Sequence, residues 1–128
     1  MNFNEYVGIP FKDNGRDRNG CDCWGLVRLA LKEQFDKDAP SLAGYPDTEY
    51  ASSENMVQTG LHEIEPKRVD IPKPGDIALI RLHGKLCHTG LYIGNGDILH
   101  TSKATGAIIE NMDGIRQLRL KIEGFYRV

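Results

Sequence analysis

The sequence has no apolar run long enough to cross a membrane, and Met1-Asn2-Phe3-Asn4-Glu5 carries no basic stretch leading into an apolar one. Neither a secretory signal peptide nor membrane insertion is expected. Cysteine is scarce and odd in number, three in 128 residues, with Cys21 and Cys23 too close for an easy bridge, so a disulfide framework is not expected. Charge of one sign is lacking as well. The 16 basic and 18 acidic residues leave a net charge of -2 mixed along the chain, which argues against nucleic acid as the main partner. Short basic clusters such as Arg16 to Arg18 read as solvated. No internal repeat or low-complexity segment divides the chain, and its length suits one core, so residues 1–128 are read as a single domain.

Against those absences stands the tetrapeptide Asp22-Cys23-Trp24-Gly25. A polar, glycine-punctuated loop over 12–20 precedes it, and Asp22 is a good N-cap. Trp24, Val27, Leu31 and Phe35 then recur at helical spacing, with Leu26 and Ala30 widening the stripe, which predicts a helix starting at Cys23. A thiol attacks as thiolate, and a helix N-terminus beside an imidazole lowers its pKa, so Cys23 is a candidate nucleophile. Prolines and a glycine over 36–46 break the pattern, and 48–61 reads as a second, more polar helix. From 64 onward the texture turns to short β-type runs, at 76–82, 87–93, 97–101, 107–111 and 118–126. Helices in front of an antiparallel sheet make an α+β fold rather than a doubly wound one.

The partners for Cys23 are His88 and His100, on the two arms of a predicted hairpin. Asn95-Gly96 by itself suggests a two-residue type I′ turn, which would pair Leu91 with His100 and put His100 on the face opposite His88. A three-residue loop over 94–96, or a bulge, brings His100 opposite Gly90 instead. It then lies diagonal to His88 on the same face, roughly 7 Å away, within reach of two imidazoles. Paired histidines require this second arrangement, and it is the one expected. Zinc is a rival use of Cys21, Cys23, Cys87, His88 and His100. The Cys-x-Cys gap and the adjacency of Cys87 to His88 along a strand are poor for it, so neither metal nor cofactor is expected.

Gly8-Ile9-Pro10-Phe11, Gly15 and the run from Gly20 to Val27 resemble the nucleophile segment of NlpC-type cell-wall cysteine peptidases. Lys73-Pro74-Gly75-Asp76-Ile77 is similar to that family's strand entry, and His88-Thr89-Gly90-Leu91-Tyr92-Ile93-Gly94 to its histidine hairpin. The resemblance implies a papain-like fold, with N-terminal helices on an antiparallel sheet of about five to six strands. It implies Cys23 as nucleophile, His88 as base and His100 as the group that orients it. The implied substrate is the peptide stem of peptidoglycan, commonly at the bond between D-glutamate and diaminopimelate.

Trp24 and the ending Ile122-Glu123-Gly124-Phe125-Tyr126-Arg127 look most like the subgroup found in bacteriophage tails, which implies other tail proteins as partners. Synthesis in the host cytoplasm, carriage in the virion tail and action in the periplasm or cell wall would follow. Asp22 and Trp24 stand beside the nucleophile as candidate substrate or oxyanion residues. Phe11 stands where many members have a tyrosine whose hydroxyl points into the site. The alternative is a structural tail-tip or assembly protein that keeps the fold with little or no hydrolysis.

Overall fold

The computed structural model describes residues 2–39, 67–82, 85–118 and 120–128. The chain opens with a 3-10 turn over Phe3–Tyr6 and a two-residue ladder, β1 (Arg16–Asp17) against β2 (Gly20–Cys21). Helix α1 then runs over Cys23–Phe35. It starts where Asp22 leaves the extended region (φ −88°, ψ −174°) and its carboxylate accepts the Gly25 N–H at 2.8 Å. That bond satisfies one of the donors a helix start leaves over. It ends at Asp36 in the left-handed region, with the Lys37 N–H returning to the Leu31 carbonyl at 3.1 Å.

The expected stripe of α1 is buried: Trp24, Leu26, Val27, Ala30 and Leu31 are all fully enclosed. Removing a large apolar side chain from water is worth about 1.5–3 kcal/mol, so this face alone ties the helix to its sheet. The sheet has six antiparallel strands: β3 (Lys67–Val69), β4 (Ile77–Leu82), β5 (Lys85–Gly94), β6 (Asp97–Ser102), β7 (Gly106–Asn111) and β8 (Leu120–Arg127). Their spatial order is β3-β8-β4-β5-β6-β7. Strand alternation splits the side chains between two cores. Ile77, Leu79, Leu91, Leu99 and Ala107 meet α1 on one face. Ala78, Ile80 and Ile98 meet Ile115 of a short helix α2 (Met112–Gln117) on the other.

The architecture is the α+β one that the sequence predicts, and five of the strands fall where β-type runs stand. The differences are local. The predicted loop over 12–20 contains the β1–β2 ladder, and Lys67–Val69 pairs with the end of β8, Val69 opposite Phe125. The last strand starts at Leu120 rather than 118, because Asn111 caps α2 through the Gly114 N–H at 2.7 Å and Leu118 closes that helix. The second helix predicted over 48–61 lies outside the described residues.

Candidate active site

Asp22 is fully buried and its carboxylate is saturated. Besides the Gly25 N–H it accepts the Asn14 N–H at 3.0 Å and Arg16 Nη1 at 2.8 Å, and the same Arg16 nitrogen donates to the Gly15 carbonyl at 2.8 Å. The loop before the cysteine is thereby lashed to the helix start. A Cβ on Gly25 would run into the Gly15 carbonyl, so only glycine lets the two segments approach. Arg16 is thus not solvated as expected, and Arg18 bridges Glu5 and Glu33 at 2.6 Å each.

These contacts give Asp22 a capping and ion-pairing role with no surface left for a substrate. Trp24 likewise packs in the α1 core with none of its surface exposed, rather than lining a groove. Phe11 forms an isolated parallel bridge with Cys21 and is partly buried. The Cys21 thiol donates to the Asp17 carbonyl at 3.0 Å.

The hairpin carries the expected bulge. Leu91 pairs with Leu99 and Tyr92 with Ile98, but Gly94 pairs with Asp97, which leaves Ile93 as the extra residue. Asn95 (φ 56°) and Gly96 (φ 79°) form the turn with both residues in positive φ, as a type I′ turn requires. The register of Leu91 and Leu99, carried one residue on, sets His100 beside Gly90 on the face of His88. The imidazoles meet there, His88 Nε2 to His100 Nδ1 at 3.1 Å, with rings edge to face and centroids 5.3 Å apart. His100 is 3% exposed, and its Nε2 has no protein partner among the described residues.

Cys23 is also 3% exposed, at the first residue of α1. Burial, reinforced by the charge of Asp22, pushes its thiol up to about 11, outweighing the Thr89 backbone, the Thr89 hydroxyl and the Trp24 backbone beside the sulfur. Burial pushes the His88 imidazole down to about 3, with the His100 ring adding to the shift, and His100 to about 4. Thiol and imidazoles therefore rest neutral near pH 7. Among the described residues no hydrogen bond joins Cys23 to His88; the sulfur sits against Thr89, the next residue along β5.

Thr89 is the residue that the sequence reading passed over. It pairs with Leu79 and shares the α1 face with Leu91 and Cys23, whereas His88 pairs with Ile80 and Gly90 with Ala78, so strand alternation turns His88, and His100 beside Gly90, to the opposite face of the sheet. A groove of about 390 Å³ lies on the opposite face, lined by Met112, Arg116, Leu120, Lys121, Ile122 and Phe125, away from Cys23.

A buried thiol at a capped helix start, set on an antiparallel sheet that carries a bonded imidazole pair, defines an α+β domain built around cysteine and histidine. The sequence profile of the NlpC/P60 family matches residues 8–119, and the chain belongs to that family. It is 28% identical over 111 residues to the murein DD-endopeptidase MepS/murein LD-carboxypeptidase of Escherichia coli K12, covering 87% of this chain and 52% of that protein. It is 29% identical over 125 residues to the gamma-DL-glutamyl hydrolase of Bacillus subtilis, covering 96% of this chain and 26% of that one.

The chain thus spans about half or less of the length of these relatives. Among solved structures, an NlpC/P60 family protein from Bacillus cereus superposes with a TM-score of 0.66 at 21% identity, covering 97% of this chain and 37% of that one. The NlpC/p60 domain of the peptidoglycan hydrolase SagA superposes at 0.59 and 18% identity, covering 98% of this chain and 91% of that domain. These likenesses show the fold.

Proposed function

We propose that the chain is a cysteine peptidase that hydrolyses peptidoglycan stem peptides, with Cys23 as nucleophile, His88 as base and His100 as the group that orients His88. The observation that carries this reading is the 3.1 Å contact between His88 Nε2 and His100 Nδ1, which pairs a base with the group that orients it. If His88 donates its Nε2–H to His100, its Nδ1 is left unprotonated and able to take the thiol proton. The sulfur then attacks the peptide carbonyl, the developing oxyanion is met by N–H groups at the start of α1, and the imidazolium protonates the leaving amine. Water releases the acyl group from the thioester by the same proton shuttle in reverse.

Both groups rest neutral, with the sulfur on the α1 face of β5 and the imidazoles on the opposite one, so the proton transfer requires a local rearrangement that brings His88 round to the sulfur. The relatives named for murein and for glutamyl bonds support a stem-peptide substrate, and the bond we propose is that between D-glutamate and diaminopimelate. The setting we propose is a phage tail, supported by Trp24 and the ending at residues 122–127, with hydrolysis local to the penetrating tip and other tail proteins as docking partners. Digestion of purified muropeptides by the wild type and by Cys23→Ala tests the reading. Release of a new amino terminus by the wild type, and none by the variant, is expected. Equal release by both would overturn it.

One observation favours the second reading, a tail structural protein with little hydrolysis: the sulfur and His100 are almost wholly enclosed. On that reading Cys23→Ala virions assemble and infect as the wild type does, while deletion of the protein abolishes assembly.

A further inference from the structure

Thr89 is fully buried on the α1 face of β5, and among the described residues its hydroxyl has no hydrogen-bond partner of ordinary geometry. A buried orphan hydroxyl costs stability, and native proteins rarely keep one without a use. Its surroundings point to the use. The flanking residues of its face, Leu79 across the ladder and Leu91 along the strand, belong to the apolar core beneath α1. Cys23 belongs to the same core, and its sulfur lies against the Thr89 backbone and hydroxyl. A neutral thiol is a weak acceptor and leaves the hydroxyl unsatisfied, whereas a thiolate is a strong one.

We propose that the Thr89 hydroxyl is a donor held in reserve for the ionised Cys23 sulfur. The inference rests on the reading of Cys23 as nucleophile. When Sγ gives up its proton, to the base in catalysis or to hydroxide in solution, the Thr89 O–H turns about its Cβ–Oγ1 bond and donates to the new thiolate. No proton leaves Thr89. As the sulfur lone pair forms the bond to the substrate carbonyl carbon, the π electrons move to the carbonyl oxygen and the Thr89 bond weakens again.

Thr89→Val keeps the shape of the side chain and removes only an unsatisfied hydroxyl, so the fold is retained. The test follows iodoacetamide alkylation of Cys23 against pH, with the site read by tandem mass spectrometry. For Thr89→Val the midpoint is expected to rise by about one pH unit, with alkylation at pH 8 slowed ~10-fold. Thr89→Ser is expected to return the profile to within ~2-fold of the wild type, because it restores the donor. A Thr89→Val profile that superimposes on the wild type overturns the proposal, and so does a Thr89→Ser profile as slow as that of Thr89→Val. Alkylation does not depend on hydrolysis, so loss of the peptidase reading by the Cys23→Ala digestion would register separately.

Discussion

The electrostatics of Cys23 run opposite to what its position in the sequence suggests. A cysteine at a helix start near histidines is expected to have a depressed pKa, but its surroundings push it up to about 11, chiefly by burial and secondarily by Asp22. The order of Cys23, His88 and His100 was legible, because residue type and spacing reveal which groups are available. How deeply they sit was not, because that depends on side chains brought from three separate segments. The shifts set the pH dependence of stability.

In the unfolded chain an imidazole takes a proton near 6.5, whereas folded His88 and His100 resist until about 3 and about 4. The unfolded state therefore binds more protons below about 6.5, and stability falls as pH drops through that range. The thiol works at the other end: it ionises near 9 when unfolded and near 11 when folded, so stability falls above about 9. Urea midpoints measured across pH should show a plateau between those limits. In His100→Gln the acid-side decline should be shallower. Parallel declines in the two proteins would show that the imidazoles are not buried neutral.

At the scale of the element, the hairpin shows how two apparently conflicting sequence signals are reconciled. Asn95-Gly96 requires a type I′ turn, the imidazoles require the other register, and the bulge at Ile93 satisfies both. The need for a bulge could be derived from the spacing of His88, Asn95, Gly96 and His100. Helix α2 could not, since its six residues are too few to display a period and its start depends on the Asn111 cap.

The close approach of β5 and β6 that aligns the histidines also requires a glycine. A Cβ at Gly90 would lie 2.5 Å from Ile98 Cγ2, 3.1 Å from the Leu99 carbonyl oxygen and 3.3 Å from His100 Cβ. Gly90→Ala therefore forces the strands apart beside the imidazole contact. Overpacking of this kind costs about 1–3 kcal/mol, and muropeptide hydrolysis is expected to fall at least ~10-fold, since small displacements of reacting groups cost that much. A variant as active as the wild type would show that the His88–His100 contact does not limit the reaction.

At the scale of the whole molecule, the sheet separates two cores with different duties. The α1 face carries Trp24 and Cys23 together, so its packing sets the position of the sulfur. The α2 face holds Ile115 against Ala78, Ile80 and Ile98, and lies away from Cys23. Truncations in the two cores should therefore cost similar stability but differ in their chemical effect. Ile115→Ala is expected to lose about 2–5 kcal/mol and Trp24→Ala about 3–5 kcal/mol, both measured by urea unfolding. Per folded molecule, Ile115→Ala should leave the alkylation rate of Cys23 unchanged, because β4, β5 and β6 stand between the cavity and the sulfur. Trp24→Ala opens a void next to the thiol, relieves its burial and should accelerate alkylation at neutral pH. If both substitutions changed the alkylation rate alike, the sheet would be transmitting strain between its faces, and the two cores would have to be treated as one.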